Sequence, residues 1–390
     1  MIVRPPRDAE DEQIYEVNRL AFGMARDPRP EHLWSNQKGK YGLVAELDGR
    51  IAATLKVVDY QQFFGGSTVP MGGVANVAVA PAARGHGAAT ALLDAILPEM
   101  MDRGQCVSAL YPSVPPLYRG RGWEQTGNYE HALLRPEQFA SLVKPGERVA
   151  MRRATEADLP ALHDCYVRFA RTVDGMLDRS TPAFELKKVL EQDIVEVVPG
   201  PDGTVRGYLT GRRPEGDNLM IDDLIADDRE TALGLFANLG RWAGVVHQIS
   251  LRITDPGWWQ LLVVLPVFQD VRNHPWMLRV VDLPAAVAAR GWPAAAHLTP
   301  TSVDMEVIDE HAPWQAGRHR LTVDGGKVIC APGGDGTVRL HARALGPWFA
   351  GSADTAMLRR TGLLEGDAVA ARVLDLLTGA PRLPRMADSF

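Results

Sequence analysis

The run Val77-Ala78-Val79-Ala80-Pro81-Ala82-Ala83-Arg84-Gly85-His86-Gly87-Ala88-Ala89, continuing into Thr90-Ala91-Leu92-Leu93, constrains this chain more than any other stretch. An apolar strand feeds a loop of small residues, and the loop opens a helix. The first backbone N–H groups of such a helix have no intrahelical acceptor and point into the loop. Together with the positive end of the helix dipole they form an anion site suited to a pyrophosphate. Gly85 and Gly87 let the backbone approach a ligand where a side chain would intrude. The plain alternative is a strand–helix connection with no ligand, and the surrounding sequence decides between the two.

Upstream, Ile2-Val3-Arg4 reads as a short strand, and a helix runs through Ile14, Val17 and Leu20 to a stop near Gly23. Tyr41–Leu47 and Ile51–Tyr60 alternate about Asp48-Gly49, a hairpin signature. Val74–Val79, a helix from about Ala88 to Met101, and Val107–Tyr111 complete a mixed α/β unit rather than a doubly wound one. A second start follows near residue 150, where Arg152-Arg153-Ala154-Thr155-Glu156-Ala157-Asp158 aligns without gaps on Arg4-Pro5-Pro6-Arg7-Asp8-Ala9-Glu10. Strands again follow, then a strand-to-helix passage from Leu219–Ile225 into Thr231–Trp242. The corresponding loop, Asp227-Asp228-Arg229-Glu230-Thr231-Ala232, has no glycine and three acids, which would repel a pyrophosphate, so this unit reads as non-catalytic. From about residue 300, hairpins around Asp324-Gly325-Gly326 and Gly333–Gly336 and helices near Ala342–Phe349 and Ala368–Leu377 mark a third unit.

The chain has 390 residues, 46 % of them hydrophobic, enough for more than one core. Its 42 Lys and Arg against 48 Asp and Glu leave a net charge of −6, without the basic excess of a general nucleic-acid binder. Cys106, Cys165 and Cys330 lack metal-ligand spacing and read as buried free thiols, so no metal is expected. Met1–Gln13 lacks the apolar core of a signal peptide, and Leu261–Phe268 is too short to span a bilayer. A soluble cytoplasmic protein with no membrane or nucleic-acid partner is expected.

Through Arg84, Gly87 and Ala89 the loop resembles the R-x-x-G-x-A acetyl-CoA loop of GNAT acetyltransferases. Val77-Ala78-Val79 is similar to the family's splayed strand. Tyr118-Arg119-Gly120-Arg121-Gly122-Trp123 supplies the tyrosine of its Y-x-x-x-G-aromatic pattern. Ala21-Phe22-Gly23, Gly175-Met176-Leu177-Asp178-Arg179, Trp276–Trp292, Ala316-Gly317-Arg318 and Pro381–Phe390 resemble the Eis (enhanced intracellular survival) family of GNAT enzymes over essentially the whole chain. That resemblance implies an α/β (α+β) fold with a catalytic GNAT domain at 1–148, a degenerate GNAT-like domain at 149–295 and a sterol-carrier-protein-like domain at 296–390. It also implies a homohexamer.

By position in the family motifs, the resemblance implies acetyl-CoA contacts at Val77, Ala78, Val79, Arg84, Gly85, His86, Gly87, Ala88, Ala89, Thr90, Ser113 and Val114. Val114 stands where the family often has an acidic residue. His86 is expected to contribute its backbone N–H, its ring facing solvent. Tyr118 carries over as the general acid that protonates the departing thiolate. The carboxylate of Phe390 carries over as acceptor of the amine's proton; an α-carboxylate titrates near ~3.5 and is ionised at neutral pH. Asp27 and Trp34 are candidates for the acceptor site, one packed Trp in a surface loop being the alternative. The implied activity is acetyl transfer to a primary amine of an aminoglycoside, a polyamine or a lysine-type peptide. The rival is a lipid or small-molecule carrier, or an acetyl-CoA sensor without turnover.

Overall fold

The computed structural model of this chain describes residues 1–26, 38–139, 142, 149–214, 216–262, 271–292, 300–379 and 382–390. The first third comprises β1 (Ile2–Arg4), α1 (Asp11–Phe22), β2 (Lys40–Leu47), β3 (Arg50–Phe64), β4 (Ser67–Val79), α2 (Ala88–Asp102), β5 (Val107–Leu110), α3 (Pro115–Arg119), β6 (Glu124–Leu134) and α4 (Pro136–Phe139). The next comprises β7 (Arg152–Arg153), α5 (Leu159–Ala170), β8 (Ile194–Pro199), β9 (Val205–Arg212), β10 (Asn218–Ala226), α6 (Arg229–Leu239), β11 (Gln248–Arg252), α7 (Trp258–Leu262) and β12 (Val271–Val280). After α8 (Leu283–Ala289) come β13 (Thr301–Ile308), β14 (Gly317–Asp324), β15 (Lys327–Pro332), β16 (Val338–His341), α9 (Ala342–Phe349), α10 (Thr355–Arg360), β17 (Leu364–Gly366) and α11 (Ala368–Thr378).

Apolar stripes dictate how the helices lie. Ile14 and Val17 of α1 pack on Val44, Ile51 and Ala78. Leu92, Leu93, Ile96 and Leu97 of α2 pack on Leu55, Val57 and Val74, the opposite face by strand alternation. Gly23, at φ 66°, ends α1 with its N–H on the Arg19 carbonyl. Asp48 and Gly49, both at positive φ, make the expected hairpin turn between β2 and β3. β3 and β4 run longer than their alternation foretells, meeting at Gly65-Gly66 in a second hairpin.

The two α/β units are not closed separately. Among the described residues, twelve strands form one sheet in the order β1-β2-β3-β4-β5-β12-β6-β11-β10-β9-β8-β7. β12, from the second unit, inserts antiparallel between β5 and β6 of the first. β6 in turn pairs antiparallel with β11 of the second. Each unit thus ends on a strand lent by the other. The carboxyl-terminal unit forms its own five-stranded sheet, β15-β14-β13-β16-β17. The mixed α/β architecture is the one expected from the sequence, and the strand exchange is the feature that the sequence did not disclose.

The junction between the sheets is polar at its centre. Arg279 of β12 and Asp309, just past β13, form an ion pair at 2.9 Å with side-chain exposures of 0 % and 1 %. Arg279 also donates to the Arg121 carbonyl. Asp309 accepts from Gln315 Nε2 at 2.7 Å and from the backbone N–H groups of His311 and Ala312. Asp309→Ala leaves a buried guanidinium without its carboxylate and should destabilise the protein by about 3–5 kcal/mol. Chemical denaturation monitored by tryptophan fluorescence checks this; a midpoint unchanged from the parent would contradict it.

Candidate active site

β4 and β5 are parallel neighbours only over Met71↔Val107, Gly72↔Ser108 and Gly73↔Ala109. Beyond Gly73, β4 pairs on one side alone, with β3, while Leu110 of β5 is drawn toward Met277 of β12. The strands therefore splay, and β4 from Val74 to Val79 presents an edge with no partner strand among the described residues. Such an edge can pair with an amide-bearing arm. A bulge near Ala75-Asn76 re-aims this stretch, with Asn76 in the left-handed region at φ 51°. Asn18 of α1 fixes the bulge: its Oδ1 accepts from Asn76 Nδ2 at 3.1 Å, and its Nδ2 donates to Thr54 Oγ1 at 3.1 Å. Thr54 Oγ1 donates to the Asn76 carbonyl at 3.2 Å.

The split opens onto the amino terminus of α2. Gly85 and Gly87 both sit at positive φ, and a Cβ added at either would meet nothing within 4 Å. Gly87 is the N-cap and has no side chain to cover the first helical N–H groups, those of Ala88, Ala89 and Thr90. Arg84 and His86 are exposed beside them. The His86 amide turns back to the Ala83 carbonyl at 3.4 Å, and its Nδ1 lies 3.1 Å from the Arg84 carbonyl. The residues present fit a pyrophosphate: open donors, space, and an unpaired strand edge alongside. Val77 and Val79 pack toward the α2 core and Ala78 toward α1.

Across the split, Pro115 and Pro116 start the single turn of α3, which carries Tyr118. Ser113 and Val114, just ahead of it, are exposed. Tyr118 is 4 % exposed and shares a core with Val74, Leu92 and Leu110. Burial raises its pKa above the usual tyrosine value, partly offset by a hydrogen bond with Ser113, so the phenol is protonated at neutral pH. The glycine of the motif has a reason of its own. At Gly122, φ 88°, a Cβ would stand 1.5 Å from Arg279 Nη1. Trp123, fully buried, donates through Nε1 to Ser108 Oγ at 3.3 Å. Together they lock the turn that positions Tyr118.

The chain end reaches the apex of the same split. The Phe390 ring lies 5.1 Å from Tyr60 and 5.6 Å from Tyr111, centroid to centroid. A Cβ on Gly73 would stand 2.8 Å from the Tyr60 ring and 3.0 Å from the Phe390 ring, so a side chain there would push both rings aside. The preceding residues, Pro384–Ala387, are buried. Arg385 bridges to Asn128 of β6, its N–H donates to the Asp174 carbonyl at 2.9 Å, and its guanidinium pairs with Glu130. A Cβ at Gly127 would lie 2.4 Å from the Pro384 carbonyl, and one at Gly175 would lie 2.6 Å from that of Arg385. Arg252 donates to the Ala387 carbonyl. Asp388 pairs with Arg179 at 3.0 Å, while Tyr111 donates to the Asp388 carbonyl at 2.8 Å. The sequence pointed to Phe390 but not to these grips; two glycines in segments otherwise rich in large residues were the available signal.

A cavity of about 340 Å³ flanks the tail on the side of the second unit, walled by Tyr166, Arg179, Phe184, Tyr208 and Asp388 among others. Phe184 leads from it to Tyr60, at 5.4 Å. Lys56, on the same face of β3 as Tyr60 by strand alternation, is pushed down to about 8 by burial and by neighbouring Lys40. Asp27 and Trp34 lie outside the described residues.

The second unit's strand-to-helix passage is built differently. Asp228 caps α6, its carboxylate accepting from the Thr231 N–H at 2.8 Å and from Thr231 Oγ1 at 3.1 Å. Arg206 pairs with Asp228 at 2.9 Å and Arg168 with Asp227 at 2.7 Å. The donors that stand open on α2 are here occupied by the chain's own carboxylate. Among the described residues no group of three or more His, Cys, Asp or Glu is placed to hold a metal ion. No helix among them is long and apolar enough to cross a membrane.

Residues 2–126 match the model of the acetyltransferase (GNAT) domain, and residues 283–387 match that of the sterol carrier protein domain. A curated relative from Streptomyces avermitilis, described as an uncharacterized N-acetyltransferase, is 28 % identical over 318 residues, 76 % of each chain. A GCN5-related N-acetyltransferase from Kribbella flavida shares the structure with a TM-score of 0.85 at 27 % identity, covering 100 % of this chain and 98 % of that one. The fold is also that of Eis1 from Mycobacterium abscessus, with a TM-score of 0.76 at 24 % identity and full coverage of both chains. The chain is an acyltransferase of mixed α/β fold, with a GNAT domain at its amino end and a sterol-carrier-like domain at its carboxyl end.

Because α2 is open and α6 is self-capped, coenzyme A is expected to bind once per chain. Titration calorimetry on the wild type tests this, and two equivalent sites would refute it. Gly87→Glu places a carboxylate among the donors and should weaken binding by about a hundredfold. Gly87→Ala, which adds the backbone strain without the charge, should weaken it much less.

Proposed function

We propose that this chain is an acetyl-CoA-dependent N-acetyltransferase of the Eis type, acting by direct transfer to a primary amine of a small molecule or a peptide lysine. One observation carries the reading: a buried carboxyl-terminal tail brings Phe390 against Gly73, at the point where β4 and β5 part. A terminus serving only as a frayed end would not be held by Arg179, Arg252, Glu130 and Tyr111. The reading includes the three-part division at 1–148, 149–295 and 296–390, a cytoplasmic location and assembly as a homohexamer.

When bound, acetyl-CoA supplies an activated acetyl thioester. The chain's own residues do the rest. The N–H groups at the start of α2, with Arg84, hold the pyrophosphate, while the free edge of Val77–Val79 aligns the amide-bearing arm. Ser113 and Val114 border the arm from the β5 side. The Phe390 carboxylate, ionised at neutral pH, accepts a proton from the attacking amine directly or through water. Tyr118, kept protonated by burial, donates its phenolic proton to the departing sulfur. The acceptor enters by the cavity beside the tail. Lys56 on that face disfavours a polycation relative to an amine of low charge.

Steady-state kinetics on three altered chains tests this mechanism. A carboxyl-terminal tag displaces the terminal charge without altering any side chain and should reduce kcat severely, whereas an amino-terminal tag should not. Deleting Phe390 withdraws the carboxylate by up to ~3.5 Å and removes the ring that anchors it, with loss in kcat rather than in acetyl-CoA binding. Tyr118→Phe should lower kcat by roughly a hundredfold or more. Thermal melts confirm that each variant is folded. Equal turnover in the two tagged forms and the deletion would remove the terminus from the mechanism.

A further inference from the structure

A second cavity, of about 630 Å³, lies where the three units meet. Its described walls include Gly65-Gly66 of the β3–β4 hairpin, the Arg171–Asp174 segment after α5, Thr378-Gly379 at the end of α11, and Arg382-Leu383-Pro384 of the tail. β4 is 13 residues long, so its hairpin end is roughly 40 Å from the Val79 end that faces the pyrophosphate loop. The cavity is separate from the active site.

Arg290, which follows α8, lines this cavity with a side-chain exposure of only 5 %. Trp292, Phe349 and Phe64 surround its guanidinium, with ring centroids 4.5, 5.2 and 5.9 Å away. Nε and Nη1 are sealed from solvent and have no hydrogen-bond partner among the described residues. Nη2, the open end, lies 3.8 Å from Asp174 Oδ2, beyond hydrogen-bond distance. That carboxylate is committed elsewhere, its Oδ1 accepting from the Gly65 N–H at 2.6 Å. Burial pushes the guanidinium down to about 10, which leaves it cationic at neutral pH. Nε and Nη1 are closed off, so a group in the cavity reaches this cation through Nη2 alone, and a hydrogen bond made there lowers the cost of burying the charge. Exposed Arg171 and Arg382 also line the cavity, as do Asp174 and Asp255, which leaves three arginines to two carboxylates. Asp255 is also engaged, accepting from the Gly257 N–H at 2.6 Å.

We propose that this cavity is a binding site for a small oxyanion, a phosphate or a carboxylate, with Arg290 as its buried anchor and Arg171 and Arg382 at its rim. An anion seated against Nη2 supplies the hydrogen bond that Asp174, at 3.8 Å, does not make, and its other oxygens face the rim. The site touches all three units and the first residues of the tail, Leu383 and Pro384. Occupancy therefore ties the entry of the tail to the hairpin of the first unit.

The test is a comparison of melting temperatures between the full-length wild type and Arg290→Met, in inorganic phosphate, in succinate and in chloride at matched ionic strength. Methionine keeps the apolar packing and removes the charge. In chloride the variant should melt at or above the wild type, because a buried unmatched cation has gone. Phosphate or succinate should raise the wild type by about 2 °C or more beyond any rise in the variant. The readout is the difference between the proteins, so anion binding at the start of α2 cancels, and the result does not depend on whether the chain acetylates anything. A response to phosphate alone or to succinate alone identifies the oxyanion. Equal shifts in both proteins, or no shift in the wild type, would overturn the proposal. Should Arg290→Met fail to fold, the paired substitutions Arg171→Ser and Arg382→Ser, both on the exposed rim, should reduce the anion-dependent rise; an unchanged rise would equally overturn it.

Discussion

The backbone N–H and C=O groups of β6 and β12 find their partners across the boundary between the two α/β units. β12 is flanked by β5 and β6, and β6 by β12 and β11, so neither unit can complete its sheet without the other. An unpaired strand edge buried at such a junction would leave a row of unsatisfied polar groups, and the exchange removes that cost. The same arrangement pulls β5 toward β12 and away from β4, which opens the split. Arg279 on β12 then reaches under Gly122 and out to Asp309, so the strand that closes the sheet also fixes the tyrosine turn and the carboxyl-terminal unit.

The tail exploits the seam that the exchange creates. It runs between β6 and the segment after α5, where Gly127 and Gly175 give its backbone room, and is held by arginines from the second unit before Phe390 meets the first. Contributions from all three units therefore converge at one point of the sheet. The arginine contacts are mostly to buried or half-buried groups, where ion pairs and charge-assisted hydrogen bonds fix position more than they add stability.

The two α/β units show how little is needed to open or close an anion site. Both pass from a bulged strand into a helix, and both helices pack one apolar face on the sheet. In one the cap is a glycine in the left-handed region; in the other it is an aspartate folded back on its own helix. An anionic ligand and a capping carboxylate compete for the same N–H groups. The donors thus stand open at one helix end and are satisfied by the chain itself at the other.

Local chemistry is what the sequence could determine. The glycines and the apolar run around Arg84–Thr90 act through backbone conformation and helix-end donors within a few residues, so the loop was legible. So were the Asp48-Gly49 turn, the α9 helix and the Tyr118 motif, whose signals are equally short in range. Tertiary structure alone decided the rest. Polar Gln61 and Gln62 and glycines 72 and 73 mask the true extent of β3 and β4, which is buried by contacts with the second unit and the tail. Nothing near Trp276 announces that its strand will sit between two strands of the other unit. Gly127 and Gly175 offered only the faint signal of a small residue, and Arg290 none, because their roles depend on segments more than a hundred residues away, at Pro384, Arg385 and Gly65. Hydrogen-bond and helix-end rules act along the chain and can be read there, whereas burial and close approach act through space and exist only once the chain has folded.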